Sequence, residues 1–185
     1  MIGQFLGKTL FKLNGWTYQN DPSLWSDKQV VIGFPHTTNM DAIRSVALFH
    51  ILGVQTHTLI KKELFKGALK PILEALGAIP VDRQNAKDVV TQMAAEFAKR
   101  ERFTLVLAPE ATRAKDGSER KPIRTGFWHI AKAANVPIVL MISDNANQQG
   151  RFLGKIIPSE LDADLKLIRE LYLKEGVDVK IPEPQ

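Results

Sequence analysis

Six short runs of buried-type residues recur along this chain, and segments of helical period fill the gaps between them. Residues 29–34 (QVVIGF), 57–60, 78–81, 104–108 (TLVLA) and 137–142 (PIVLMI) are strand-sized and apolar, and 151–158 extends the series. Residues 40–52, 85–102 and 126–135 carry apolar side chains at helical spacing, with 162–175 following the last strand. Residues 61–76 read as one more helix, interrupted by Gly67 and Pro71. Strand and helix alternating in this way predict an α/β fold: a single domain over 1–185 with a largely parallel mixed sheet flanked by helices. In such folds chemistry collects in the loops that leave the carboxyl ends of the strands.

Composition narrows the chemistry. The 185 residues include no cysteine, which excludes a disulfide framework, a thiolate metal site and a cysteine nucleophile. The most apolar stretch, residues 136–142, is far short of the ~18–20 residues a membrane span needs. The N-terminus does not read as a signal peptide, because Gly3, Gln4, Lys8, Thr9 and Lys12 interrupt it. Residues 159–185 carry seven acids and four bases, so residues 1–158 hold a net charge of +8. Such a body attracts anionic partners, among them nucleic acid, lipid surfaces and phosphorylated small molecules. The aromatic residues fall in apolar patterns rather than among exposed bases, which argues against nucleic acid.

Residues 1–16 place Ile2, Phe5, Leu6, Leu10 and Leu13 at helical spacing, with Lys8 and Lys12 as the only charges and Trp16 at the end. The pattern suits a helix packed on the core or an interfacial helix on anionic lipid. The tripeptide Gly7-Lys8-Thr9 is not a phosphate-binding loop. Position 2, where the motif needs its first glycine, is Ile2, and only six residues precede Gly7.

Three strand ends carry reactive side chains. After 29–34 comes Pro35-His36-Thr37-Thr38-Asn39-Met40-Asp41. With Thr38 as N-cap, Asp41 becomes the third helical residue, and its side chain tilts back toward His36. An imidazole beside a carboxylate suits general-base chemistry, although Thr38 and Asp41 also resemble a plain helix cap. After 78–81 come Asp82 and Arg83, whose guanidinium suits a phosphate or an ion pair with Asp82 or Glu110. After 104–108 come Pro109-Glu110-Ala111-Thr112-Arg113, in which acid, hydroxyl and guanidinium leave a strand together. Lys61, Lys62, Lys66 and Lys70 form a basic group that suits a solvated helix face or a landing surface for an anionic donor or lipid. His50, His57 and His129 have no metal-ligand spacing and read as core or surface residues.

In this order the three segments resemble the glycerophospholipid acyltransferase superfamily. The first block of that superfamily is His-x4-Asp, matched by His36 and Asp41. Its second ends in an arginine, matched over Gly77 to Arg83, and its third is Pro-Glu-Gly-Thr-Arg, matched by residues 109–113 with Ala111 in the glycine position. A fourth, Val-Pro-Ile-Val, falls at 136–139. Pro35 stands where asparagine is common before the histidine. The resemblance implies acyl transfer from an acyl-CoA or acyl-[acyl carrier protein] thioester to a lysolipid hydroxyl, with lysophosphatidic acid the default acceptor. A lyso-aminolipid acceptor and a noncatalytic lipid-binding relative are the alternatives. It further implies His36 as general base oriented by Asp41, and Arg83, Glu110, Thr112 and Arg113 as acceptor-binding residues. No metal and no bound cofactor are expected. The expected setting is cytoplasmic, peripheral on an anionic membrane surface.

Overall fold

The structure is a computed structural model that describes residues 2–34, 39–82, 85–110 and 121–183. Among the described residues the sheet holds β1 (Thr17–Tyr18), β2 (Lys28–Phe34), β3 (Thr56–Lys61), β4 (Ala78–Val81), β5 (Phe103–Leu107), β6 (Ile138–Asp144) and β7 (Gln149–Ile156). Across the sheet they run β1-β7-β6-β2-β5-β3-β4. The five strands from β6 to β4 are parallel. β7 turns back antiparallel on β6, and the two residues of β1 pair with β7 at the edge. The helices are α1 (Ile2–Leu13), α2 (Asn39–Leu52), α3 (Leu69–Ala75), α4 (Ala86–Lys99), α5 (Gly126–Ala134) and α6 (Leu161–Lys174). The expected α/β fold with a largely parallel mixed sheet is what the chain adopts.

The central strands are apolar without alternation because both their faces are covered. Val30 and Ile32 of β2 enter one core with Met93 and Phe97 of α4, Phe127 and Trp128 of α5, and Ile168 and Tyr172 of α6. Val31, one residue out of phase, enters a second core with Phe11 of α1 and Ala47, Leu48 and Phe49 of α2. α6 is held at its start by Glu160, whose carboxylate accepts from the Asp162 and Ala163 amides. The buried Asp164 carboxylate accepts from Trp128 Nε1 at 2.7 Å and from Ser159 N at 2.7 Å, tying α6 to α5. Tyr172 Oη donates toward the Met141 carbonyl at 2.8 Å and lies 3.2 Å from that of Ile32.

Two local expectations change, and one open reading is narrowed. Of the apolar stripe of α1, Phe5, Leu6 and Leu13 face outward, 70%, 60% and 80% exposed, while Leu10 packs against the second core. The helix packs on α2 through Gly3, Gly7 and Phe11 instead. A Cβ on Gly7 would come 2.7 Å from the Ala47 carbonyl oxygen, so only glycine permits this approach. Residues 61–76 do not form one helix. Lys61 ends β3, a single 3-10 turn spans Lys62–Leu64, and Gly67 turns the chain at φ +52°. The helix restarts at Leu69, where Pro71 sits in the first turn and loses no hydrogen bond. Trp16 is 6% exposed, inside the second core, and does not present an interfacial ring.

Candidate active site

Because β2, β5 and β4 are parallel, their carboxyl ends lie on one side of the sheet. Phe34, Leu107 and Val81 therefore release the three motif-bearing segments in the same direction. β2 and β5 are hydrogen-bonded neighbours, in register from Lys28 opposite Phe103 to Ile32 opposite Leu107. β4 lies two positions beyond β5, a span of ~10 Å at the usual strand spacing. His36, Arg83, Thr112 and Arg113 lie outside the described residues. Asp41 and Glu110 lie within them.

Asp41 is the third residue of α2, as the spacing predicts, and it is 2% exposed. A carboxylate buried this far is costly unless charge or hydrogen bonds compensate it. Arg44, one turn on, brings Nη1 to 3.6 Å from Asp41 Oδ1. The Arg44 guanidinium lies over the Trp16 ring at 4.2 Å and donates from Nη1 to Asn145 Oδ1 at 3.1 Å. Sequence reading passed over this trio. The i,i+3 spacing of Asp41 and Arg44 on one helix was the available signal, but nothing in the sequence ties Trp16 and Asn145 to them.

Glu110 is half-buried, one residue past the buried Pro109. The chain that leaves here returns beside its exit, for Arg124 N donates to the Pro109 carbonyl at 2.9 Å. Burial pushes the Tyr172 phenol well above its usual range, and the Glu110 charge adds to that. Tyr172 thus keeps its proton and fastens β2 to β6 just before the His36 segment. At the β4 end, Lys62 Nζ meets Asp82 Oδ2 at 2.5 Å, so the carboxylate expected as one partner of Arg83 is engaged by a lysine from the turn after β3. Among the described residues no cluster of three histidine, aspartate or glutamate side chains is placed to hold a metal ion.

A model of the Acyltransferase family matches residues 16–143, a range that includes all three strand-end segments. The chain belongs to the Acyltransferase family. This acyltransferase is 24% identical to the 1-acyl-sn-glycerol-3-phosphate acyltransferase of Limnanthes alba, over 94% of its own length and 68% of that relative. It is 23% identical, with the same coverage, to the enzyme of that name from Limnanthes douglasii. Among solved structures it is similar to the crystal structure of the 1-acyl-sn-glycerophosphate (LPA) acyltransferase PlsC from Thermotoga maritima. That likeness has a TM-score of 0.62 at 15% identity, covers 95% of this chain and 77% of the other, and concerns the fold. The family range leaves α1, β7 and α6 outside it, so the outward apolar face of α1 is a feature of this chain beyond the matched region.

Proposed function

We propose that the protein transfers a fatty acyl group from an acyl-CoA or acyl-[acyl carrier protein] thioester to the hydroxyl of a lysolipid, with lysophosphatidic acid as the acceptor and phosphatidic acid as the product. The observation that carries this reading is the buried Asp41 in the first turn of α2, five residues after His36 in a chain of this family. His36 takes the proton of the acceptor hydroxyl as that oxygen attacks the thioester carbonyl. Asp41 holds the imidazole in the productive tautomer and stabilises the imidazolium. The tetrahedral intermediate collapses by breaking the carbon–sulfur bond, and the imidazolium returns its proton to the departing thiolate. No covalent acyl-enzyme forms, in keeping with a chain that has neither a cysteine nor a Gly-x-Ser-x-Gly turn. Arg83 and Arg113 grip the acceptor phosphate, for which a guanidinium fork is suited, while Glu110 and Thr112 position the glycerol.

A lipid acceptor requires contact with a membrane surface, and among the described residues no helix is long and apolar enough to cross one. The chain acts from the cytoplasmic face as a peripheral protein. The outward Phe5, Leu6 and Leu13 of α1 and the exposed Ile43 and Val46 of α2 are apolar side chains that a membrane surface could take up, and Lys8 and Lys12 of α1 add positive charge. The β3-to-β4 connection is a parallel crossover, and right-handedness puts α3 on the α2 side of the sheet. Its Leu69 and Ile72 are also exposed, among Lys61, Lys66 and Lys70.

The test incubates the purified protein with lysophosphatidic acid and a long-chain acyl-CoA, follows thiol release, and identifies the lipid product by mass spectrometry. Phosphatidic acid formation that is lost in His36→Ala supports the reading. Acylation of a lyso-ornithine lipid with none of lysophosphatidic acid would move the acceptor to the lyso-aminolipid class. Absence of thiol release with either acceptor and either donor would leave a lipid-binding relative.

A further inference from the structure

Asp41 must be ionised to orient an imidazole, yet at 2% exposure its carboxylate is almost wholly withdrawn from water. Arg44 answers this by charge more than by hydrogen bonding, since 3.6 Å between Nη1 and Oδ1 is too long for a donated bond. An i,i+3 ion pair on a helix usually contributes little, because ordering a long side chain offsets the attraction. Arg44 is ordered by other contacts. Its guanidinium rests on the Trp16 face at 4.2 Å, and Trp16 is fixed by its amide donating to the Phe11 carbonyl at 2.8 Å and by the edge of the Phe11 ring. Asn145 Oδ1, just past the end of β6, accepts from the same Nη1 at 3.1 Å. The neighbouring Asp144 carboxylate is engaged by Arg151 at 3.0 Å and by Asn147 Nδ2 at 2.8 Å. Arg44 thus meets a neutral amide on that side and a carboxylate on the other.

We infer that Arg44 is a positioning residue for acyl transfer: a cation clamped between Trp16 and Asn145 that keeps the buried Asp41 carboxylate charged and fixes its orientation. The inference rests on the reading that Asp41 orients His36. It assigns work to three residues that lie far apart in sequence and that no motif joins. It also explains the burial of Trp16, whose indole provides the platform on which the cation lies.

The experiment is a double-mutant cycle on kcat, read by thiol release from a long-chain acyl-CoA with lysophosphatidic acid. The chain contains no cysteine, so a thiol reagent reports released CoA alone. The variants are Arg44→Ala, Arg44→Gln, Arg44→Lys, Asp41→Asn and the double variant Asp41→Asn/Arg44→Ala, each with its melting temperature. Arg44→Ala should lower kcat about tenfold, within the range for residues sharing one charge network, and leave both KM values within about twofold. Arg44→Lys should keep more of kcat than Arg44→Gln, because it keeps the charge. In the Asp41→Asn background the Arg44→Ala change should cost less than about twofold. An equal cost in both backgrounds, a loss confined to KM, or a lowered melting temperature with kcat retained would each overturn the inference. Should Arg44→Ala fail to fold, Arg44→Gln carries the same cycle. If Asp41→Asn itself keeps the wild-type kcat, the reading of Asp41 fails. If Asp41→Asn is slow while Arg44→Ala and Arg44→Gln are not, only the role of Arg44 fails.

Discussion

The two helical layers that cover the sheet are built on opposite terms. α4, α5 and α6 turn large side chains inward: Met93, Phe97, Phe127, Trp128, Ile168 and Tyr172 are all buried, and Asp164 and Tyr172 find polar partners within the core. The apolar side chains that α6 leaves exposed, Leu167 and Leu173, stand next to Lys166 and Lys174 in the sequence, and exposed leucines of this kind are ordinary. On the other face α1 approaches α2 through glycine and turns Phe5, Leu6 and Leu13 to the outside. α2 carries Asp41 inward and Ile43 and Val46 outward. One layer completes its core and little else. The other completes the second core and also turns apolar side chains to a surface, next to the helix that holds the proposed chemistry. Under the proposed function this division has a physical sense: the layer proposed to meet the lipid surface is the layer proposed to carry the site.

The sharpest break in this comparison lies at the site. His36→Ala should lower the rate by ~10²–10⁴, the usual loss when a general base is removed, while the melting curve stays near wild type. Asp41→Asn should fall in the same direction. If it loses stability and keeps its rate, Asp41 is a cap and α2 has no more catalytic content than α5. The opposite layer should respond in the opposite currency. Phe97→Ala deletes a ring packed edge-on against Phe103 at 4.6 Å and should cost about 3–5 kcal/mol of unfolding free energy. Its kcat, measured on the protein that remains folded, should be unchanged. Arg83→Ala and Arg113→Ala should act mainly on the acceptor KM, with poor rescue by lysine, because a point charge cannot reproduce the fork. Normal acceptor kinetics in both would favour an acceptor without a phosphate.

The outward face of α1 gives a third contrast. Phe5→Ser with Leu13→Ser should leave stability within about 0.5 kcal/mol per site, as surface changes do. Co-sedimentation with vesicles rich in anionic lipid should weaken, and activity on vesicle-borne acceptor should fall more than on a dispersed short-chain one. Each lysine near an anionic surface adds about 1 kcal/mol, so Lys8 and Lys12 predict reversible, salt-sensitive attachment. Unchanged sedimentation of a folded chain lacking residues 1–13 would move the contact to the α3 side. Gly7→Val probes the cause. Its side chain would meet the Ala47 carbonyl, so it should loosen α1 from α2 while adding apolar surface.

What could be read in advance follows from where the determinants lie. The central strands were legible because burial on both faces leaves an unbroken apolar run, as in residues 138–142. The start of α2 was legible because the position of Asp41 depends on local spacing alone. The facing of α1 was not, since a period of 3.6 marks an apolar stripe without saying whether protein or lipid covers it, and the glycines that decide its packing carry no hydropathy. The break in 61–76 was signalled by Gly67 and Pro71, but not the continuation of β3 to Lys61, which depends on pairing with Val81. Arg44, Trp16 and Asn145 meet only through the tertiary fold, and a helix, a loop and a strand end brought together leave no pattern in a linear sequence.

The smallest effect probes the packing layer by titration. His57 of β3 stacks on Phe103 at 4.5 Å between ring centroids, and its Nε2 accepts from Arg100 Nη1 at 2.8 Å, with Arg100 in turn held by Glu96 at 2.8 Å. Burial first, and then the Arg100 cation, pushes the His57 pKa below its ordinary value of 6.5, against the opposing pull of Glu96. The unfolded chain therefore takes up the proton before the folded one does. The stability that neutral His57 contributes is complete above pH 6.5 and is lost as pH falls from there through the folded-state pKa. His57→Gln keeps an acceptor for Arg100 and removes the titration, so its unfolding midpoint should depend less on pH between neutrality and mild acid than that of the wild type. The acid limb of the rate profile, which the proposed mechanism assigns to His36, should be the same in both proteins. A shift of that limb in His57→Gln would show that the two ends of the sheet are coupled, and that the division between a packing layer and a working layer is less complete than the burial pattern implies.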